Sequence, residues 1–185
     1  MNQSKRDYIA VARGSDLVVI RVMGRGTMLT APALAEFAEE QRRTGFKRFV
    51  FDLEHCEGLD STFMGTMVGM HIALAGDCRS SEHTRTGVPK SDDKESVQTA
   101  ISAVNITAEL RKIFDMLGVD KFVKLRGSCD LGRLETTMLP EKNIAPEERH
   151  QMILKAHQNL VEIDRRNEEH FGELLKSLEC ELAKI

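Results

Sequence analysis

The apolar positions of this chain change period several times, and each change predicts an element. Tyr8-Ile-Ala-Val-Ala-Arg13 and Leu17-Val-Val-Ile-Arg-Val-Met23 are short β-branched runs separated by Gly14-Ser-Asp16, which predicts a β-hairpin. Gly24-Arg-Gly26 closes the second strand as a turn or bulge. A phosphate-cradling glycine loop is disfavoured there, because Leu29 stands where its third glycine belongs. Thr30 as cap and Pro32 in the first turn then open a helix. Leu34, Phe37 and Ala38 line one side of it, and Gly45 stops it. Arg48-Phe-Val-Phe-Asp-Leu53 is short and nearly continuous, as in a strand covered on both faces. Beyond a loop at Glu54 to Gly58, Asp60 is a good N-cap for a helix carrying Phe63, Met64, Met67, Val68, His71 and Ile72 on one broad side. Gly65 and Gly69 lie one turn apart on that helix, where they would let another backbone come close.

From Cys78 the pattern lapses into CRSSEHTRTGVPKSDDKES, too polar to fix its own backbone, so residues 78–97 read as a mobile insert. Val97 to Val104 is the next strand candidate. Thr107 caps a helix with Leu110, Ile113, Phe114 and Leu117, Gly118 ends it, and Phe122-Val-Lys-Leu125 is a short last strand. The order β-β-α-β-α-β-α-β predicts an α/β fold, a mixed, largely parallel sheet covered by helices, over residues 1–127. Residues 128–145 form a Pro-punctuated linker, and 146–185 a long C-terminal helical extension. Ile153, Ala156, Leu160, Ile163, Leu174, Leu178 and Leu182 recur there at three- and four-residue steps. Unbroken, that helix would extend roughly 55–60 Å. It must therefore bend back near Gly172 or leave the domain and pair with a second copy. Asn167, in the apolar register, is a device for setting such a pairing.

Composition narrows the functional classes. The 185 residues carry 26 Lys and Arg against 29 Asp and Glu, a net charge of −3, so nothing draws the chain to nucleic acid or anionic membrane. Aromatic residues make up 5% and Trp is absent, which disfavours base-stacking platforms. No apolar run is long enough to insert into a bilayer, and the N-terminus has no signal-like apolar stretch. The scattered Cys56, Cys78, Cys129 and Cys180 fit a reduced compartment. The expectation is a soluble, cytoplasmic protein with no cofactor and no metal.

The segment Arg48-Phe-Val-Phe-Asp-Leu-Glu-His-Cys-Glu-Gly-Leu-Asp-Ser-Thr-Phe-Met-Gly resembles the central signature of STAS domains, which include bacterial anti-sigma-factor antagonists and sulphate-transporter tails. In that family a buried strand ends in Asp-Leu, and after a short loop Asp-Ser-Ser/Thr opens the next helix. The stretches Gly24 to Leu34 and Asn105 to Phe122 resemble its flanking elements, so the likeness spans about residues 8 to 127 apart from the insert.

The resemblance implies a binding protein rather than an enzyme, acting in bacterial transcription signalling. Its phosphoacceptor would be Ser61, with Thr62 as alternative, and Asp60, Phe63 and Met64 would meet the partner. The partners it implies are an anti-sigma factor with serine kinase activity and a phosphatase. Phe63 departs from the pattern, standing where the family commonly has Gly. A phosphate on Ser61 would be favoured by the helix N-terminus and opposed by Asp60 to a similar degree. The switch should thus change binding, with little change of fold, at a first turn that stands open to partners. The alternative is a STAS module of a transporter or stress-sensing assembly, taking part by interaction or small-ligand binding without any phospho-switch. A homodimer through the C-terminal helix is the further expectation.

Overall fold

The computed structural model describes residues 7–82, 100–131 and 134–184. The predicted hairpin is formed by β1 (Tyr8–Arg13) and β2 (Val18–Gly26), antiparallel from Tyr8 opposite Met23 to Arg13 opposite Val18. β2 does not stop at Gly24. It continues through a bulge between Gly24 and Arg25, where Gly24 takes a φ of 79° that side-chain-bearing residues rarely adopt. β3 (Phe49–Asp52) lies parallel to β2 and to β5 (Ile101–Val104), and β6 (Lys124–Leu125) extends the same parallel set. The near-continuous apolar composition of β3 follows from this central position.

Two strands lie where the sequence pattern predicts none. β4 (Cys56–Leu59) occupies the expected loop and pairs with the far end of β2. β7 (Thr137–Met138), inside the expected linker, adds antiparallel to β1. The path across the sheet is β6-β5-β3-β2-β1-β7. The fold is thus mixed α/β with a largely parallel sheet, as the alternation of elements predicts.

α1 (Ala31–Arg43) runs into Thr44 and Gly45, the latter at a φ of 101°. Thr30 stands at its N-cap without capping it: the hydroxyl accepts from Thr27 N–H and donates to Thr27 C=O. α2 (Ser61–Glu82) is longer than its apolar side suggests, and takes the first residues of the polar stretch at 78–97 into the helix. The rest of the expected insert, and the start of the strand candidate at Val97, lie outside the described residues. α3 (Ala108–Met116) is capped by Thr107, whose hydroxyl accepts from Leu110 N–H at 3.2 Å, and ends at Gly118 with φ 68°.

The C-terminal extension is not one rod. α4 (Pro146–Ile163) and α5 (Asn167–Leu182) form an antiparallel-type hairpin broken at Asp164-Arg165-Arg166, not at Gly172. Asp164 takes an extended backbone (φ −149°, ψ 112°). Its carboxylate accepts from the Arg166 guanidinium at 2.7 Å and from Lys121 Nζ at 3.1 Å. Arg166 above all, then Lys121, holds the Asp164 carboxyl far below the usual carboxylate range. A lowered folded-state pKa stabilises above the ordinary value of 3.8 and loses that contribution as pH falls through the acid range. The thermal midpoint of Asp164→Asn should therefore trail the parent at pH 7, keep most of that gap at pH 3, and converge with it only at still lower pH. A gap that stays constant with pH would contradict this.

The hairpin folds back on its own domain, with α4 packed along α2. Asn167 is fully buried there. Its Nδ2 donates to Leu117 C=O at 3.0 Å and Leu160 C=O at 2.7 Å, so it pins the hairpin to the end of α3 within one chain. Ala156, Leu160 and Leu178 of the apolar stripe are buried within the chain, while Leu174 stays 39% exposed.

Candidate functional site

The site is built where β3, β4 and α2 meet. Asp60 N–H donates to Gly26 C=O at 2.9 Å, anchoring the start of α2 to the end of β2. Asp60 then divides its carboxylate. One oxygen accepts from Phe63 N–H at 2.8 Å as the N-cap, and the other accepts from Met28 N–H at 2.7 Å, fixing the turn before α1. Both oxygens are engaged within the chain, so Asp60 positions the site. It also sets Met28 and Leu29 beside the helix start, 38% and 61% exposed. No sequence pattern marks these two as surface residues.

Phe63 and Met64, expected at the partner surface, are 0% and 2% exposed. The Phe63 ring stands edge-on to Phe51 with centroids 6.5 Å apart. A Cβ on Gly26 would lie 3.0 Å from the Phe63 ring and 2.6 Å from Leu59. The bulky residue that departs from the family pattern therefore faces the sheet, in space left by a glycine. Thr62 is only 4% exposed, which closes it to any enzyme in this state. The expected open first turn is not open.

What covers it is α4. Ser61 is half-buried, and its Oγ lies 2.9 Å from Nε2 of His157, a residue 2% exposed in the middle of α4. The other ring nitrogen, Nδ1, lies 2.8 Å from Ile153 C=O. A carbonyl only accepts, so Nδ1 carries the hydrogen. In the neutral ring Nε2 is then the acceptor, and the Ser61 hydroxyl donates to it. Phe171 of α5 packs edge-on against the same imidazole at 4.7 Å.

His157 is the residue that sequence reasoning missed. Its one available signal is its place in the apolar stripe between Ile153, Ala156 and Leu160, where a polar residue invites the question of what it bonds. The approach of α4 depends on Gly65, where an added Cβ would meet the Ala156 backbone, and on Gly69, whose Cβ would lie 2.6 Å from Asn159 Nδ2. Asn159 Nδ2 in turn donates to Gly65 C=O at 3.1 Å. Gly65 admits another backbone as expected, and it is the chain's own, whereas Gly69 makes room for the Asn159 side chain.

A serine within hydrogen-bond reach of a histidine has the geometry of a nucleophile and its base. Here Nδ1 is oriented by a backbone carbonyl instead of a carboxylate, and the hollow between α1, α2 and α4 is lined by neither Ser61 nor His157. His71, the one histidine of α2, sits ten residues beyond Ser61, roughly 15 Å along the helix. It is buried against Phe122 at 5.4 Å, and burial pushes its pKa down. Among the described residues no cluster of His, Cys, Asp and Glu could hold a metal ion. None of the described helices is long and apolar enough to cross a membrane.

The strand ending at Asp52, the short connection through β4, and Asp60-Ser61 opening α2 belong to a mixed α/β fold that carries a helical hairpin. No protein-family model matches the chain, and no curated protein matches it. Similar solved structures include an anti-sigma factor antagonist from Mycobacterium paratuberculosis, at 19% identity over 71% of this chain and 92% of that one, TM-score 0.47. TM1081 of Thermotoga maritima, named as a candidate anti-sigma factor antagonist, is 12% identical over 64% of this chain and 85% of its own, TM-score 0.48. The anti-sigma factor antagonist SpoIIAA in its unphosphorylated form is 15% identical over 58% and 82%, TM-score 0.37.

Proposed function

We propose that the protein is an anti-sigma-factor-antagonist-like binding module, controlled by phosphorylation of Ser61, in which the α4–α5 hairpin is the resident partner of the switch. The observation that carries this reading is the Ser61–His157 hydrogen bond. Phosphate on Ser61 Oγ removes the hydrogen donated to His157 and adds about −1.5 to −2 charges at a half-buried position. The added oxygens need the space the imidazole fills, and a dianion held beneath a helix without water is costly. α4 must move, while the sheet and the Asp60 cap have no cause to. The switch thus acts on hairpin docking, instead of leaving the whole fold unchanged as the sequence suggests. Release uncovers the α2 face next to the exposed Met28 and Leu29, where an anti-sigma factor or kinase would bind. Its work would lie in bacterial transcription control, in the cytoplasm.

The test compares Ser61→Asp with Ser61→Ala. Ser61→Asp should raise amide hydrogen exchange across α4 at least about tenfold, equivalent to about 1.4 kcal/mol of docking energy lost, with β3 and β5 unchanged. Ser61→Ala, which loses one hydrogen bond, should change it much less. In parallel, intact mass after co-expression with a serine kinase of the anti-sigma type should show one phosphate on the parent and none on Ser61→Ala. Equal exchange in both variants together with no phosphate would remove the switch and leave a STAS-like assembly module.

A further inference from the structure

A hollow of about 290 Å³ lies between α1, α2 and α4, away from Ser61. It exists because small side chains line the crossing. Ala38 on α1, Ala73 on α2 and Ala156 on α4 leave space that Met70, Leu74 and Met152 border without filling. The hollow is a cleft open to solvent on one side, and its wall is mostly apolar. Its volume is at the small end for ligand sites, which start at roughly 300 Å³. A single acyl chain fits such a space, whereas a two-chain lipid is too large.

The charged residues at the rim set the head group. Among the described residues of the lining, Arg42 and Lys155 stand there with one carboxylate, Glu39. That carboxylate is already shared by Arg42, at 2.8 and 2.9 Å, and Arg43, at 2.9 Å. Lys155, exposed on α4, makes no ion pair among the described residues. Lys155 therefore offers a cation at the rim above a wall of methyl and thioether groups.

We propose that this hollow binds a single-chain amphiphile with an anionic head, the chain lying among Met70, Ala73, Leu74 and Met152 and the head meeting Lys155 beside Arg42. This goes beyond the switch at Ser61 and stands without it. Because α4 supplies one wall, the occupant bridges domain and hairpin and favours the docked state.

The probe is decanoate, titrated below its micelle concentration into the full chain and followed by methionine-methyl NMR. Saturable shifts are expected at Met70 and Met152, with the exposed Met28, Met116 and Met138 unmoved. Lys155→Glu, a surface change that spares the fold, should weaken binding roughly fivefold. Ala73→Phe should abolish binding while the circular dichroism stays that of the parent. Decyltrimethylammonium, with the same chain and the opposite head, should bind more weakly than decanoate. The proposal is overturned if decanoate gives no saturable shift, if shifts fall on the exposed methionines instead, or if Lys155→Glu and the cationic probe bind as tightly as the parent pair. Should Ala73→Phe fail to fold, Lys155→Glu and the two head groups decide the matter.

Discussion

Gly65→Leu is expected to release the α4–α5 hairpin from the domain while leaving the sheet paired. A Cβ at Gly65 would lie 2.6 Å from the Ala156 carbonyl carbon and 2.9 Å from its Cα, with the carbonyl oxygen closer still. These are backbone atoms of a regular helix, so no rotamer change relieves the clash, and the whole of α4 has to back away. Its departure breaks the Asn159–Gly65 and Ser61–His157 hydrogen bonds together. The loss should be about 3 kcal/mol, the upper end for an overpacked interior site. The substitution also improves the intrinsic helix propensity of α2 by somewhat under 1 kcal/mol, so any net loss comes from docking. Limited trypsin digestion reads the effect directly: cleavage after Lys155 and Lys176 should run well ahead of cleavage within β2, after Arg21 and Arg25. Parent-like resistance of α4 would show that the helices do not meet at this glycine. If the hairpin is the resident partner of Ser61, the same variant should be phosphorylated faster than the parent.

Asn167→Leu should cost about 2–4 kcal/mol, although leucine is the better helix former and the position is wholly buried. The side chain's two donors satisfy Leu117 C=O and Leu160 C=O, at the end of α3 and in the last turn of α4. Leucine removes both donors, strands Leu117 C=O in an apolar setting, and leaves Leu160 C=O only its bond from Asp164 N–H at 3.2 Å. Asn167→Asp, nearly isosteric, also lacks the donors and adds a buried charge, so it should be worse than Asn167→Leu. Urea denaturation with an unchanged slope checks both. A change below about 0.5 kcal/mol for Asn167→Leu would mean that these carbonyls find water instead. The prediction separates two roles for this asparagine. Register-setting in a dimer would make the cost depend on protein concentration, whereas a pin within one chain makes it independent of concentration.

The architecture of the sheet was legible because its cues are local. The β1–β2 hairpin, the unbroken apolar run of β3, and the stops at Gly45 and Gly118 each depend on a few neighbouring residues. β4 and β7 were not legible. They are four and two residues long, and such strands exist only because β2 and β1 offer them unpaired edges. The start of the site was likewise readable: Asp60 caps α2 and Ser61 follows it, as the motif implies. The orientation of the next residues was not. The same periodicity that places Phe63 and Met64 on one side of a helix is satisfied by a partner's surface or by the domain's own core, and here it is the core.

Taken alone, the order of residues determined the kind of fold, the position of the serine at a helix start, and the presence of an amphipathic tail too long to stay straight. Tertiary structure alone decided where that tail goes. Apolar spacing states that a face must be buried, since water penalises its exposure, but it carries no information about which surface does the burying. That choice rests on a close backbone approach at Gly65, a break held by Asp164 and Arg166, and the meeting of Ser61 with His157 across 96 positions of sequence. Contacts between residues so distant in the chain exist only once the chain has folded.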